Sequence, residues 1–188
     1  MFAGRGVQPG QPLPALSLVN VDGSPVSITQ IQAGRPMVLI TASLTCNVAR
    51  RQQKDVNAIQ QRFGSDVTVT VVYTIDAHPK GDPCPYTGKE WVPKDNEKDG
   101  VLIRQPIDLQ DRISQARQFQ QRYIGNAHGP TVLVDTMDNA SWIALGQAPN
   151  LGLFINRDGI VRLRQGWFDH KAMEQELMAM GLKAQDGG

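Results

Sequence analysis

Two cysteines among 188 residues are too few to staple a small secreted fold, so a hydrophobic core must hold the chain together. No apolar run reaches the roughly 18 residues of a membrane-crossing helix. The opening Met-Phe-Ala-Gly-Arg-Gly-Val also lacks the charged and then apolar parts of an export signal. A cytoplasmic setting with no membrane partner is therefore expected. Charge of one sign is missing too: 19 Lys and Arg face 18 Asp and Glu, a formal net charge of +1, and no basic stripe or glycine-rich phosphate loop invites nucleic acid or nucleotides. Aromatic residues make up 6%, and neither repeats nor low-complexity tracts occur. What remains is a globular composition, with 40% hydrophobic and 20% charged residues. The length suits one domain spanning 1–188, with a core of about 10–182 and a flexible tail at 183–188.

The order of elements predicts an α/β chain. Ala15 to Val19 and Pro25 to Ile28 flank the turn pair Asp22-Gly23 and read as an N-terminal β-hairpin. Met37 to Ala42 is a short continuous apolar run, as expected of a strand buried on both faces. Val48, Val56, Ile59 and Phe63 mark a partial helical stripe ending near Gly64. The β-branched stretch Val67 to Ile75 predicts a second buried strand. Leu109, Ile113, Ala116 and Phe119 predict a helix with Asp108 as its N-cap. Strands follow at Thr131 to Val134, Leu151 to Asn156 and Ile160 to Leu163, then a helix from Asp169 to Met180. Strand and helix alternate before a final antiparallel pair, which argues for a central mixed β-sheet flanked by α-helices. The irregular stretch 77–106 is long for a loop, and reads either as a functional segment or as a solvated insertion.

Cys46 falls where the buried strand ends and the helix from Val48 begins. A helix start offers unpaired N–H groups and the positive end of the macrodipole, both of which favour thiolate over thiol. Arg50 and Arg51 follow within a turn and add positive charge. The other reading is a small buried hydrophobe.

The segments Gly34 to Cys46, Val72-Tyr-Thr-Ile-Asp-Ala-His-Pro79, Val134 to Asn139 and Ala148-Pro149 before a strand together resemble the thioredoxin-like superfamily. More narrowly, they resemble bacterial redoxins related to iodothyronine deiodinases and to the peroxiredoxin and alkyl hydroperoxide reductase group, over about 10–167. The resemblance implies a thioredoxin-like fold. It places Cys46 at the reactive selenocysteine or peroxidatic cysteine, and Ser43 at a hydroxyl that touches substrate. Ser43 or Thr45 could equally cap the helix. Tyr73, Asp76 and His78 match a Tyr-x-x-Glu-x-His group, with Asp in place of Glu. His78 would then move a proton, with its tautomer fixed by Asp76 or Tyr73. Pro149 corresponds to a cis-proline facing the reactive cysteine. Departures narrow the likeness. Leu39 stands where peroxiredoxins carry proline, and Asn150-Leu151 where deiodinases carry Glu-Arg.

Cys84, between Pro83 and Pro85 in the long loop, is placed outside the deep core by its two prolines. It is either a resolving thiol for an oxidised Cys46 or a fortuitous exposed cysteine. Trp91 and Trp167 line a pocket near the cysteine or cover the sheet edge, and Trp142 packs in the core. Cys46, Cys84, His78, His128 and His170 lack metal-ligand spacing, so no metal or cofactor is expected. The expected activity is thiol-dependent redox chemistry on a small electrophile: a peroxide, a disulfide or an aryl halide. An external thiol such as thioredoxin or glutathione would be the reductant. The alternatives are a reductive dehalogenase and a non-catalytic redox or metal-binding protein, and a homodimer is left open.

Overall fold

The structure, a computed structural model, describes residues 2, 4–125 and 128–185. The elements run β1 (Leu18–Asn20), β2 (Pro25–Val26), α1 (Ile28–Gln32), β3 (Met37–Ala42), α2 (Asn47–Phe63), β4 (Thr68–Tyr73), α3 (Lys94–Lys98) and α4 (Leu109–Phe119). A π-helical turn (Gln120–Ile124) follows, then β5 (Thr131–Asp135), α5 (Ala140–Leu145), β6 (Gly152–Ile155), β7 (Val161–Gln165) and α6 (His170–Ala179). The strands form one mixed sheet in the order β2-β1-β5-β4-β3-β6-β7. Strands β3, β4 and β5 are parallel at its centre, and antiparallel strands complete both sides.

The period-two geometry of strands divides the core into two layers. Val38, Ile40 and Ala42 of β3 join Val69, Val71 and Tyr73 of β4 on the face covered by α2, α4 and α6. Met37 and Leu39 join Val72 and Leu133 on the other face, covered by α1, α5 and the N-terminal segment. All six residues of β3 are buried, as its unbroken apolar run predicts. Helix α2 turns Val56, Ile59 and Phe63 inward. It ends at Gly64, where any Cβ would collide with the Gln60 carbonyl oxygen.

Three short helices escape the sequence reading, because α1, α3 and α5 span at most six residues each. The 77–106 stretch is also more than a solvated insertion. Ala77, His78, Cys84, Asn96 and Val101 along it are buried, and the Lys80 amide donates to the Ile103 carbonyl at 2.7 Å. Near the C-terminus, the Gln185 amide donates to the Arg62 carbonyl at 2.7 Å. Ala184 packs against the core as well, and the other half of the expected flexible tail, 186–188, lies outside the described residues. Among the described residues, no helix is long and apolar enough to cross a membrane.

Candidate active site

Parallel strands β3 and β4 end side by side, Ala42 opposite Tyr73, and the residues that follow them build the site. Ligands of open α/β sheets bind beyond the carboxyl ends of such strands. Cys46 is the N-cap of α2, with extended backbone, and its Sγ accepts the Ala49 N–H at 3.4 Å. The helix-start position expected from sequence is therefore present. Its expected consequence, a lowered pKa, is not. Cys46 is 1% exposed, and burial pushes its pKa up to about 11, against the Ala49 and Val48 N–H groups and the Arg50 charge. Desolvation of the thiolate outweighs the helix terminus here.

A buried hydrogen-bond network braces the turn before the cysteine. One Asp76 oxygen accepts both the Thr45 N–H at 2.9 Å and the Thr45 hydroxyl at 2.7 Å. The other accepts the Tyr73 hydroxyl at 2.9 Å, and Tyr73 in turn accepts the Leu44 N–H at 3.1 Å. Burial raises the pKa of Asp76, while its hydrogen bonds from Thr45 and Tyr73 oppose the rise. Burial likewise raises Tyr73, and the neighbouring Asp76 adds to it. Gln105 clamps the Asp76 backbone from both sides, accepting from its N–H at 3.1 Å and donating to its carbonyl at 2.7 Å. Ser43 accepts the Ala77 N–H at 3.2 Å, which leaves its hydroxyl a proton to donate.

His78 joins this group through its backbone, whose N–H donates to the Thr45 hydroxyl at 3.0 Å. The expectation that Asp76 or Tyr73 fixes the His78 tautomer is corrected, because Asp76 is taken up by Thr45 and Tyr73. The buried Nδ1 of His78 has no protein partner, and its ring stands edge-on to Trp91 at 4.4 Å. Burial first and the Arg50 charge second lower its pKa to about 4, so the imidazole is neutral at physiological pH. Trp91 is half exposed and covers His78.

Pro149 is buried beside the end of β3, where the Thr41 hydroxyl donates to the Ala148 carbonyl at 3.0 Å and accepts the Leu151 N–H at 2.8 Å. Its peptide bond is trans, since no cis bond occurs among the described residues, which corrects the cis expectation. The exposed placement of Cys84 is corrected as well. Both thiols are free and buried, Cys84 at 0% exposure. The two prolines that argued for the surface lack N–H groups, so this segment enters the interior with fewer donors to satisfy. Tyr86, two residues on, packs against the core layers that hold Cys46 and Leu39 and sets its ring edge-on to Trp142. Among the described residues, no three His, Cys, Asp or Glu side chains are grouped to hold a metal.

Sequence reasoning did not single out Asn96, Asp99 and Gln105, and it treated Arg50 only as nearby charge. Arg50 is 4% exposed, whereas Arg51 is exposed and pairs with Asp95 at 2.8 Å. One signal was available for Arg50: it lies four positions after Cys46, which puts both on one helix face.

A search of curated protein sequences returns no match. Among solved structures, the fold is similar to a putative thiol:disulfide interchange protein DsbE from Chlorobium tepidum. The TM-score is 0.62 at 17% identity, covering 93% of this chain and 98% of that one. It is also similar to a thioredoxin-like protein from Aeropyrum pernix, with TM-score 0.60, 11% identity and coverage of 88% and 89%. A thiol peroxidase from Chromobacterium violaceum gives 0.58 at 12% identity, with coverage of 95% and 90%. These likenesses make the fold thioredoxin-like. The sequence match to the iodothyronine deiodinase family extends over residues 3–178, nearly the whole chain, and the protein belongs to that family.

Proposed function

We propose that the protein is a thiol-dependent oxidoreductase with Cys46 as its redox-active nucleophile. The observation that supports this most is the thiol at the N-terminus of α2, which accepts the Ala49 N–H and follows a turn braced by the Thr45–Asp76–Tyr73 network. In the resting protein the thiol is protonated, since burial raises its pKa. Reaction therefore requires a proton acceptor, and the departing oxygen or sulfur of the substrate takes that part, because neutral His78, with its pKa lowered to about 4, is a weak base. With a hydroperoxide, the thiolate attacks the terminal oxygen, the S–O bond forms as the O–O bond breaks, and the leaving alkoxide takes a proton. Ser43 can donate to that oxygen. A second thiol, Cys84 or an external one, then attacks the sulfenic sulfur, forming a disulfide and releasing water. With a disulfide substrate, the thiolate exchanges directly.

Family membership favours a second reading, reductive dehalogenation. There the Cys46 thiolate would attack the iodine of an aryl iodide, forming S–I as the C–I bond breaks while the ring carbon takes a proton. A thiol would then displace iodide and leave a disulfide. Purified protein is expected to turn over hydroperoxides or disulfides with a thiol reductant, and Cys46→Ser to abolish it; iodide release from an aryl iodide would select the second reading. Intact mass after mild peroxide resolves the cycle: loss of two hydrogens marks a disulfide, and gain of one oxygen a one-cysteine route. Absence of any Cys46-dependent turnover or mass change would overturn the reading.

A further inference from the structure

Arg50 is a buried cation with an unusual set of restraints. Helical side chains lean toward the N-terminus, and Arg50 follows this so far that its Nη1 donates to the Leu44 carbonyl at 2.7 Å. The guanidinium therefore lies alongside the turn that carries Cys46, six residues back from its own Cα to Leu44. Two residues of the long loop hold it there. Asn96, 0% exposed, accepts a second Nη1 hydrogen bond at 3.0 Å and donates its own amide to the Thr45 carbonyl at 2.8 Å. Asp99, whose own side chain is 48% exposed, accepts Nη2 at 2.7 Å. One carboxamide thus joins the residue before the thiol to a buried cation, and one carboxylate offsets that cation's charge. The buried Nε of Arg50 has no protein partner.

We propose that α3 and its flanks form a strap that positions Arg50 beside Cys46 and sets how readily the thiol ionises, with Asn96 and Asp99 as positioning residues. The inference rests on the reading of Cys46 as the reactive group. It extends that reading to a segment that would otherwise count as an insertion. Other groups face the same place. Asp76 opposes thiolate formation, His78 feels Arg50, and Tyr86 lies within the electrostatic reach of Cys46 and Cys84. On the strap side, Asp95 is held by Arg51 and Asn47, and the Asp99 carbonyl by Arg122. Of these, Asn96 and Asp99 alone touch the Arg50 guanidinium through side chains.

The test uses two substitutions that keep an oxygen facing Arg50 and change charge in opposite directions. Asp99→Asn removes a negative charge, and Asn96→Asp adds one. The readout is the rate of Cys46 alkylation by iodoacetamide between about pH 7 and pH 10, resolved by mass from Cys84, in the range where rate follows thiolate fraction. At equal pH, Asp99→Asn is expected to react about threefold faster than the wild type and Asn96→Asp about threefold slower. Loosening alone would accelerate both, and that result would overturn the inference, as would unchanged rates in both. If Asn96→Asp does not fold, Asp99→Glu takes its place: it retains the charge and should restore the wild-type rate, and a rate as fast as that of Asp99→Asn counts against the strap. Labelling is read without turnover, so the two proposals fail separately. Cys46-dependent turnover with unshifted labelling defeats the strap alone, and shifted labelling in an inactive protein defeats the oxidoreductase reading alone.

Discussion

Thr45 carries more of the site than its neighbours do, because its backbone and side chain serve three partners through four hydrogen bonds. Its N–H and hydroxyl both go to Asp76, the hydroxyl accepts from His78, and the carbonyl accepts from Asn96. Thr45→Val keeps the shape and removes the hydroxyl. Asp76 then loses a donor and the buried His78 N–H its acceptor, so the variant should be about 2–3 kcal/mol less stable in urea unfolding. A Thr45 side chain facing solvent would cost nothing measurable. At this scale the sequence named the participants and mistook their wiring. Tyr73, Asp76 and His78 were expected as a relay, whereas Asp76 braces the turn and His78 keeps a free Nδ1. Spacing along a chain cannot tell which of two nearby donors claims a carboxylate oxygen. Cys84 shows the same limit, since its prolines restrict the backbone without fixing which side of the surface it takes.

Among the elements, those with strong periodicity were legible before any coordinates. Strand β3 matches its expected bounds, and α2 and α4 begin within a residue or so of theirs. Helices of five or six residues present too few turns to show a period, and their stability comes from packing rather than propensity. That is why α3, whose Asn96 donates to the Thr45 carbonyl of the reactive turn, passed unread inside the 77–106 stretch. Its anchoring has a measurable consequence. Thr87 to Trp91 are exposed at the loop tip, whereas Ala77, Cys84, Asn96 and Val101 are buried. Limited trypsin treatment should therefore cut first after Lys89 and leave the flanking segments intact, because cleavage requires local unfolding of the backbone. Early cuts at Lys80 and Lys98 would show an unanchored loop.

For the whole molecule, the shifted groups define a pH window of stability. Cys46 has its folded pKa raised from 9.0 to about 11. Its contribution is complete below about pH 9 and disappears as pH rises toward 11, a loss of roughly 3 kcal/mol at about 1.4 kcal/mol for each pH unit. His78 has its pKa lowered from 6.5 to about 4. The unfolded chain binds that proton first on acidification, so stability falls as pH drops from about 6.5 toward 4. Denaturation measured across pH should show a plateau between these limbs. Cys46→Ala should flatten the alkaline limb, and a limb that survives this change would assign it to other groups. The mixed sheet and its helical cover were legible from element order. The depth at which the site lies was not, since it depends on how the loop closes over the strand ends.

That depth affects how Cys46 meets the outside. A cysteine 1% exposed reacts with a bulky reagent only during moments when its cover has lifted. Modification then becomes a two-step process, opening followed by capture. At low reagent concentration the speed reports how often the open form is populated. At high concentration it levels off at the opening rate itself. Cys46 is thus a built-in clock for the motion of the segment above it, and reagents of graded size would show how wide each opening must be.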